Sequence, residues 1–549
     1  MTAPTQPDAP DTVPAAQELI DFLRDPASYP YAPDEVAIVQ THISYVALAP
    51  PYVYKVKKPV DLGFLDFTTL DRRRHYCGQE VRLNRRLCDA IYEGVVPISR
   101  TPTGLALEDD TNVVEVAVKM RKLPDAGFAD ARLHRGDLTT QDLDRVAARL
   151  QAFYEARQST PEIAAAGRTT QLRVNTDENF TQTEDHVDTL LSRPAYDTIR
   201  YATNRFYDQQ GDLLNRRRAG GHIVDAHGDL RLEHVHLTAE RVCIYDCIEF
   251  NERFRYIDVA NDIGFLAMDL DLHGRPDLAN HLVYHMVRSL RDPDLPRLVN
   301  FYKCYRAYVR GKVEGMRSLE HEVPPDEQAK SKQRARVAYQ WALRYTIAGS
   351  QPLVIAVMGR VATGKSTVAQ ALADALGWTA VNSDRVRKEQ AGVPLQERGD
   401  ASTRGELYTK EMTEQTYAAL FNTAVEHAQS GQGTVLDATF SRRAHRDALR
   451  NRLRDAEIPY VFVELTADDE TLRARLRQRD ESQGVVSDAR LDDFEMLNAR
   501  YEAPNALEDA RHIHVDSKDD LEATTRAALQ HLVRLRPEPA PAPPVLDAD

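Results

Sequence analysis

A chain of 549 residues is longer than one hydrophobic core usually supports, which argues against a lone domain and predicts two. Its 42% hydrophobic and 28% charged residues describe an ordinary soluble globule rather than a fibrous or disordered chain. A net charge of −14 argues against coating nucleic acid by bulk attraction and leaves phosphate-bearing small molecules as the easier partners.

Residues 1–16 are rich in Pro, Ala and Asp and read as a disordered tail, as do 536–549 ("PEPAPAPPVLDAD" at the end). The N-terminus lacks a basic start with an apolar segment, and no run of about 18 apolar residues occurs, so a cytoplasmic protein without a membrane partner is expected. Cys77, Cys88, Cys243, Cys247 and Cys304 are few, odd in number and scattered. Cys243 and Cys247 read as buried strand residues rather than a metal pair.

Residues 36–60 and 93–122 are strand-rich, with a helix expected over 70–89. Beyond about 137 the pattern is helical, interrupted by "GGHIVDAHGDLRLEHVHLTAERVCIYDCIEFN", which reads as two short strands around a polar loop. A first domain over 35–320 is therefore α+β, with a small sheet lobe before a larger helical lobe. Residues 321–350 read as a linker helix. Over 351–535 five short apolar strands alternate with helices, the signature of an α/β domain with a parallel five-stranded sheet.

The second domain opens on "VMGRVATGKST". The spacing G-x-x-x-x-G-K-[ST] falls between an apolar strand and a helix, as a P-loop requires. Gly359, Arg360, Val361, Ala362, Thr363, Gly364, Lys365, Ser366 and Thr367 would cradle ATP, with Lys365 on the outer phosphates and Ser366 on Mg2+. Asp384 in "NSDRVRK", read as a strand-end carboxylate, could accept a hydroxyl proton, with Arg385, Arg387 or Lys388 holding an anionic acceptor. Asp437 in "TVLDATF" suits water-mediated Mg2+ contact. In "TLRARLRQRD", Arg473 and Arg477 share one helical face and Arg475 and Arg479 another; Arg473 and Arg477 are the expected catalytic lid arginines. These residues resemble the P-loop kinase group that includes zeta toxins and polynucleotide 5′-kinase domains. That resemblance implies ATP-dependent phosphoryl transfer but no particular acceptor.

In the first domain, "AHGDLRLEHVHL" followed by "VCIYDCIEF" resembles the catalytic loop and metal-binding strand of the aminoglycoside phosphotransferase family, whose fold is protein-kinase-like. The resemblance implies Asp229 as catalytic base, Asp246 as Mg2+ ligand, Lys55 as the phosphate-pairing lysine and Glu80 as its helix partner. Lys57, two residues on, is the alternative to Lys55. His234 departs from the pattern, standing five residues after Asp229 where kinases carry an Mg2+-binding Asn. Mg2+ would then rest on Asp246 and another carboxylate such as Glu249. Asp258 and Asp262 read as structural.

The leading expectation is a bifunctional kinase with ATP and Mg2+ at two sites and hydroxyl acceptors at both. Two alternatives differ in class, a 5′-hydroxyl polynucleotide kinase in the second domain and a P-loop kinase regulated by a front pseudokinase lobe.

Overall fold

Along residues 44–57 most strand positions are buried or half-buried, and both members of the pairs Ser44–Tyr45 and Val56–Lys57 are buried, as a strand pair covered on both faces requires. The computed structural model describes residues 13–320, 322–395, 405–480, 490–505, 511–518 and 520–536. The two tails predicted from composition lie almost wholly outside them. Six antiparallel strands form the first sheet: β1 (Ala37–Gln40), β2 (Ser44–Ala49), β3 (Tyr52–Lys57), β4 (Tyr92–Thr101), β5 (Gly104–Leu107) and β6 (Val113–Arg121), in the order β1-β2-β3-β6-β4-β5. Tyr45, Ala47, Tyr54 and Val56 pack with Leu19 and Leu23 of the helix Ala16–Arg24. On the other face Val116, Val118 and Met120 meet Cys77 and Val81 of the helix Leu70–Asn84, so the sheet is covered on both sides.

The helical lobe contains, among others, helices Thr140–Glu155, Arg193–Ala219, Val259–Leu272, Pro276–Ser289 and Leu295–Arg317. The expected two short strands are four: β7 (Ile223–Asp225) pairs with β10 (Tyr256–Asp258), and β8 (Val235–Leu237) pairs with β9 (Val242–Ile244). The loop of interest is thus clamped from two sides. Asp258 caps the Val259–Leu272 helix and, with Asp292, pairs with buried Arg217, each at 2.7 Å, consistent with a structural role.

One cysteine expectation changes. All five cysteines are buried, but Cys88, just past the Leu70–Asn84 helix, is disulfide-bonded to Cys243 in β9. Local spacing gave no sign of this, because the two residues are 155 positions apart and meet only when the sheet lobe closes on the helical lobe. Cys247 lies beyond β9 and is free.

The second sheet is fully parallel: β11 (Val354–Gly359), β12 (Thr379–Asn382), β13 (Thr434–Asp437), β14 (Tyr460–Thr466) and β15 (His512–Asp516), in the order β12-β13-β11-β14-β15. Every residue of β11 is buried, the consequence of a central strand covered on both faces. Val354, Ala356 and Met358 pack with Tyr417, Leu420, Leu449 and Leu453.

The opposite face joins the two halves. Ile355 and Val357 share a core with Tyr339, Leu343 and Ile347 of the helix Pro325–Ile347 and with Phe265, Cys304 and Tyr308 of the front half. Asp271 sits at this junction, accepting from Lys303 at 2.9 Å and from Tyr345 and Ser350 at 2.7 Å. The expected linker helix is therefore a core element rather than a tether. Among the described residues, no helix is long and apolar enough to cross a membrane.

Candidate active sites

The C-terminal site forms where β11 gives way to the helix Lys365–Leu376. Gly359 has φ +141° and a Cβ there would strike the Leu465 carbonyl; Gly364, the N-cap, has φ +85°. Both backbones favour glycine, which is why the motif spacing survives into the structure. Ala362 also takes a positive φ, +63°.

Within the loop the residues divide. Arg360 is pinned outward, to Asp469 Oδ1 and the Ala467 carbonyl at 2.6 Å and Asn498 Oδ1 at 3.1 Å, while Val361 and Ala362 pack against the Leu472–Leu476–Phe494 cluster. Buried Thr363 donates to the Arg360 carbonyl at 2.9 Å, and Lys365 Nζ donates to the same oxygen at 2.7 Å. Burial lowers the Lys365 pKa to about 8, against the opposing pull of Asp437 and Asp384. Ser366 and Thr367 are exposed at the helix start.

Parallel register places Asn382 beside Asp437, and Asp437 beside Val357. Asn382 donates to Asp437 Oδ2 and to Ser366 Oγ, the latter at 3.3 Å, so three chain segments converge at the mouth of the loop. Asn382 was not singled out from sequence; its position at the end of the strand neighbouring Asp437 was the available signal. Burial raises the Asp437 pKa, partly offset by Ser366 and Lys365. Asp384 proves to lie in the first turn of the helix Ser383–Ala391, not at the strand end, because Asn382 caps that helix. There it accepts from Arg387 at 2.7 Å and Tyr408 at 3.4 Å.

The arginine helix Asp469–Asp480 corrects one expectation. Arg473 pairs with Glu495 at 2.6 Å and stacks over Phe494. Arg475 comes within 3.9 Å of where a Gly364 Cβ would stand, and Arg479 acts electrostatically on Lys365. Arg475, which donates to the Ser517 hydroxyl at 3.3 Å and to the Ser517 carbonyl, and Arg479 are thus the arginines of this helix nearest the P-loop, and no contact brings Arg477 to it among the described residues. Leu472 and Leu476, buried beneath the helix, set this rotation.

At the front site, β3 carries Lys55 and Lys57 on one face. Lys55 Nζ lies 2.7 Å from Asp246 Oδ1 and 2.9 Å from Glu80 Oε1. Lys57 Nζ takes the other oxygen of Glu80 at 2.7 Å and pairs with Glu249. Glu249 is thus committed to a buried lysine rather than to Mg2+. Burial works to lower the Lys55 pKa, but Asp246 and Glu80 raise it well above the usual range, so the ammonium stays charged. Asp246 has φ +62°, a strained backbone for a residue other than glycine.

The loop 227–234 hangs from Asp262, whose carboxylate accepts the backbone N–H groups of His227 at 2.8 Å and Gly228 at 2.9 Å. Asp229 Oδ2 is 3.1 Å from Arg231 Nη2. Burial acts to raise the Asp229 pKa, and Arg231, then His234, overcomes it and holds it at about 2. His234 lies between Asp229 and Asp246, with Nδ1 2.7 Å from the Asp229 main-chain carbonyl and 3.6 Å from its Oδ2, and Nε2 3.5 Å from Asp246 Oδ2. Lys55, Glu80, Asp246, His234 and Asp229 therefore form one connected cluster, assembled from segments up to 191 residues apart.

Comparison with known proteins bears on the second half. The AAA domain family matches residues 354–504. The matched stretch holds the P-loop and four of the five strands of the parallel sheet described above. A gluconokinase of Gluconobacter oxydans (strain 621H) is 29% identical over 138 residues, 24% of this chain and 68% of its own. An uncharacterized protein of Mycobacterium tuberculosis (strain ATCC 25618 / H37Rv) is 29% identical over 468 residues, covering 85% of this chain and 90% of its own, so that likeness runs through both halves. Among solved structures, a gluconokinase from Sinorhizobium meliloti 1021 is 24% identical, covering 34% of this chain and 93% of its own with a TM-score of 0.26. Kti12 of Chaetomium thermophilum in complex with ADP-AlF3 is 20% identical, covering 33% and 98% with a TM-score of 0.27. What the C-terminal site binds and acts on is a matter of proposal.

Proposed function

We propose that the chain is a bifunctional ATP-dependent phosphotransferase that moves the γ-phosphate of ATP to hydroxyl acceptors at two sites, one of aminoglycoside phosphotransferase type and one of P-loop kinase type. The observation that carries the two-site reading is the front cluster: a charged lysine clamped by Glu80 and Asp246, joined through His234 to the ionised Asp229. A purely structural lobe has no need of this assembly of buried charge on a strained backbone.

In the P-loop kinase-like domain, the loop backbone from Gly359 to Thr367 would hold the phosphates and Lys365 would leave the Arg360 carbonyl for them. Ser366 and Asp437 offer oxygen donors only, held together by Asn382, and this set fits Mg2+, which would neutralise phosphate charge there. Asp384, oriented by Arg387 and Tyr408, would receive the acceptor hydroxyl's hydrogen bond. Arg475 and Arg479 would close on the transferring group and exclude water. A small anionic polyhydroxy acid is the favoured acceptor class, supported by the name of the Gluconobacter relative and by buried Arg387 Nε, which has no hydrogen-bond partner among the described residues.

In the front site Lys55 would pair the nucleotide phosphates, Glu80 would fix Lys55, and Asp229 would orient the acceptor hydroxyl. The test compares intact protein with Lys365→Ala and Asp229→Ala in phosphate transfer to a panel of sugar acids, aminoglycosides, nucleosides and a 5′-hydroxyl oligonucleotide. Products that divide between the two variants support the proposal, and the labelled acceptor names each substrate. Products that all depend on Lys365 and none on Asp229 would reduce the front lobe to a sensor.

A further inference from the structure

Glu464, in β14, is a buried carboxylate with no Lys or Arg paired to it among the described residues. Two histidines of the edge strand β15 face it instead. Parallel register sets Glu464 opposite His514 and Phe462 opposite His512, and His512 and His514, two residues apart, share one face of the sheet. His514 Nδ1 stands 2.8 Å and His512 Nε2 3.3 Å from the same oxygen, Oε2. The two rings are stacked, 4.5 Å apart and 13° from parallel. The other oxygen, Oε1, accepts from Tyr501 at 2.5 Å, which fixes the carboxylate and leaves Oε2 to the histidines. The His512 side chain is 1% exposed, yet its Nε2 makes no hydrogen bond among the described residues. A buried ring nitrogen aimed at a carboxylate without bonding to it is a cost that packing alone does not explain.

We propose that Glu464 Oε2, His512 Nε2 and His514 Nδ1 are the protein ligands of a Zn2+ ion that clips the edge strand β15 to β14, apart from both proposed kinase sites. The three atoms lie within 4.8 Å of one another. Two ligands each about 2.1 Å from one ion at a tetrahedral angle stand about 3.4 Å apart, close to the His512–Glu464 separation of 3.3 Å. The His514 contact has to open by about half an ångström, which a side chain 57% exposed does at little cost. The donor chemistry selects the metal: two imidazole nitrogens and a carboxylate suit Zn2+, whereas Mg2+ and Ca2+ take oxygen ligands. The ion also answers the charge. A buried carboxylate needs a counter-charge, neutral imidazoles supply none, and protonating both would stack two cations. Tyr501 is then the outer partner that orients the ligating carboxylate, and water reaches the fourth position past exposed His514. The next residue of β14, Leu465, is the one whose carbonyl stands against Gly359, so the clip sits beside the strand end that supports the P-loop.

The test titrates Zn2+ into the full chain, stripped of metal by a chelator and free of nucleotide, with calorimetry reading affinity and X-ray absorption reading the zinc shell. The expected result is a bound equivalent with nitrogen and oxygen at about 2.0–2.1 Å and the outer scattering of two imidazoles. His514→Ala, at an exposed position where the fold is expected to stand, should weaken binding at least about 100-fold, since loss of an outer partner alone costs about 10–100-fold. Glu464→Gln, which keeps an acceptor for Tyr501, should do the same. Zn2+ should also raise the unfolding midpoint of the wild-type chain and leave that of His514→Ala unmoved. His281→Ala is the control for the half-exposed Asp144–His281–His285 cluster and should leave the two-imidazole shell unchanged. A zinc equivalent that persists in both His514→Ala and Glu464→Gln, a shell without two imidazoles, or no stoichiometric binding would each overturn the proposal, the last leaving a histidine–carboxylate contact only.

Discussion

Two lysines, two residues apart on β3, serve different ends. Lys57 is fully buried between Glu80 and Glu249, whereas Lys55 reaches the partly exposed Asp246. Lys57→Ala leaves buried Glu249 without its paired lysine and Glu80 with Lys55 alone, and a loss of about 3–5 kcal/mol of stability is expected in urea unfolding. Lys55→Ala should cost much less stability, since Glu80 keeps Lys57, but should lower front-site turnover by about 100-fold or more. Equal stability losses for the two would contradict this division. Lys365 leads to a pH effect. Its pKa is lowered to about 8 in the nucleotide-free protein, while bound phosphates favour the charged ammonium and raise it. Binding therefore takes up a proton above pH about 8, and ATP affinity at the C-terminal site should fall as pH rises, approaching about tenfold per unit. Titration of ATP into the Asp229→Ala protein across pH 7–10 (roughly the range spanned by the shift) checks this, and a flat profile would refute it.

Among elements, the arginine helix shows how burial sets function. Leu472 and Leu476 face the core, and their positions commit Arg475 and Arg479 to the P-loop side while Arg473 meets Glu495. Arg475→Ala and Arg479→Ala are each expected to lower kcat of the C-terminal reaction by about 100-fold, as loss of a transition-state contact does, with Arg473→Ala near wild type. The reverse ranking, in single-turnover assays, would mean that the helix rotates on nucleotide binding. The P-loop was legible from its spacing because each glycine answers a local backbone need; the arginine choice was not, because four arginines alternate over two faces and only the packing partner selects one.

At the scale of the molecule, the helix Pro325–Ile347 makes one core of what composition divides in two. Asp271, Lys303, Tyr345 and Ser350 tie the front half to the residues that lead into β11. Calorimetry of the intact chain should therefore show a single cooperative unfolding transition. Asp271→Ala, which leaves Lys303 buried without its carboxylate, should lower that transition as a whole, by about 3–5 kcal/mol. Two separated transitions, with only one moved by the substitution, would show instead that the halves unfold independently.

What the sequence determined by itself was whatever depends on neighbours along the chain: the P-loop, the alternation behind the parallel sheet and the α+β pattern of the front half. What only the tertiary structure decided depends on where distant segments meet. The Cys88–Cys243 disulfide, the choice of Lys55 over Lys57 for Asp246, the loss of Glu249 to Lys57 and the place of Asn382 beside Asp437 all belong here. So does the direction of His234 Nε2, since one short hydrogen bond to the Asp229 carbonyl determines which nitrogen faces Asp246. Spacing specifies local geometry, but charge pairing across more than 150 residues is settled only when the chain folds back and burial leaves each ion with the partners within reach.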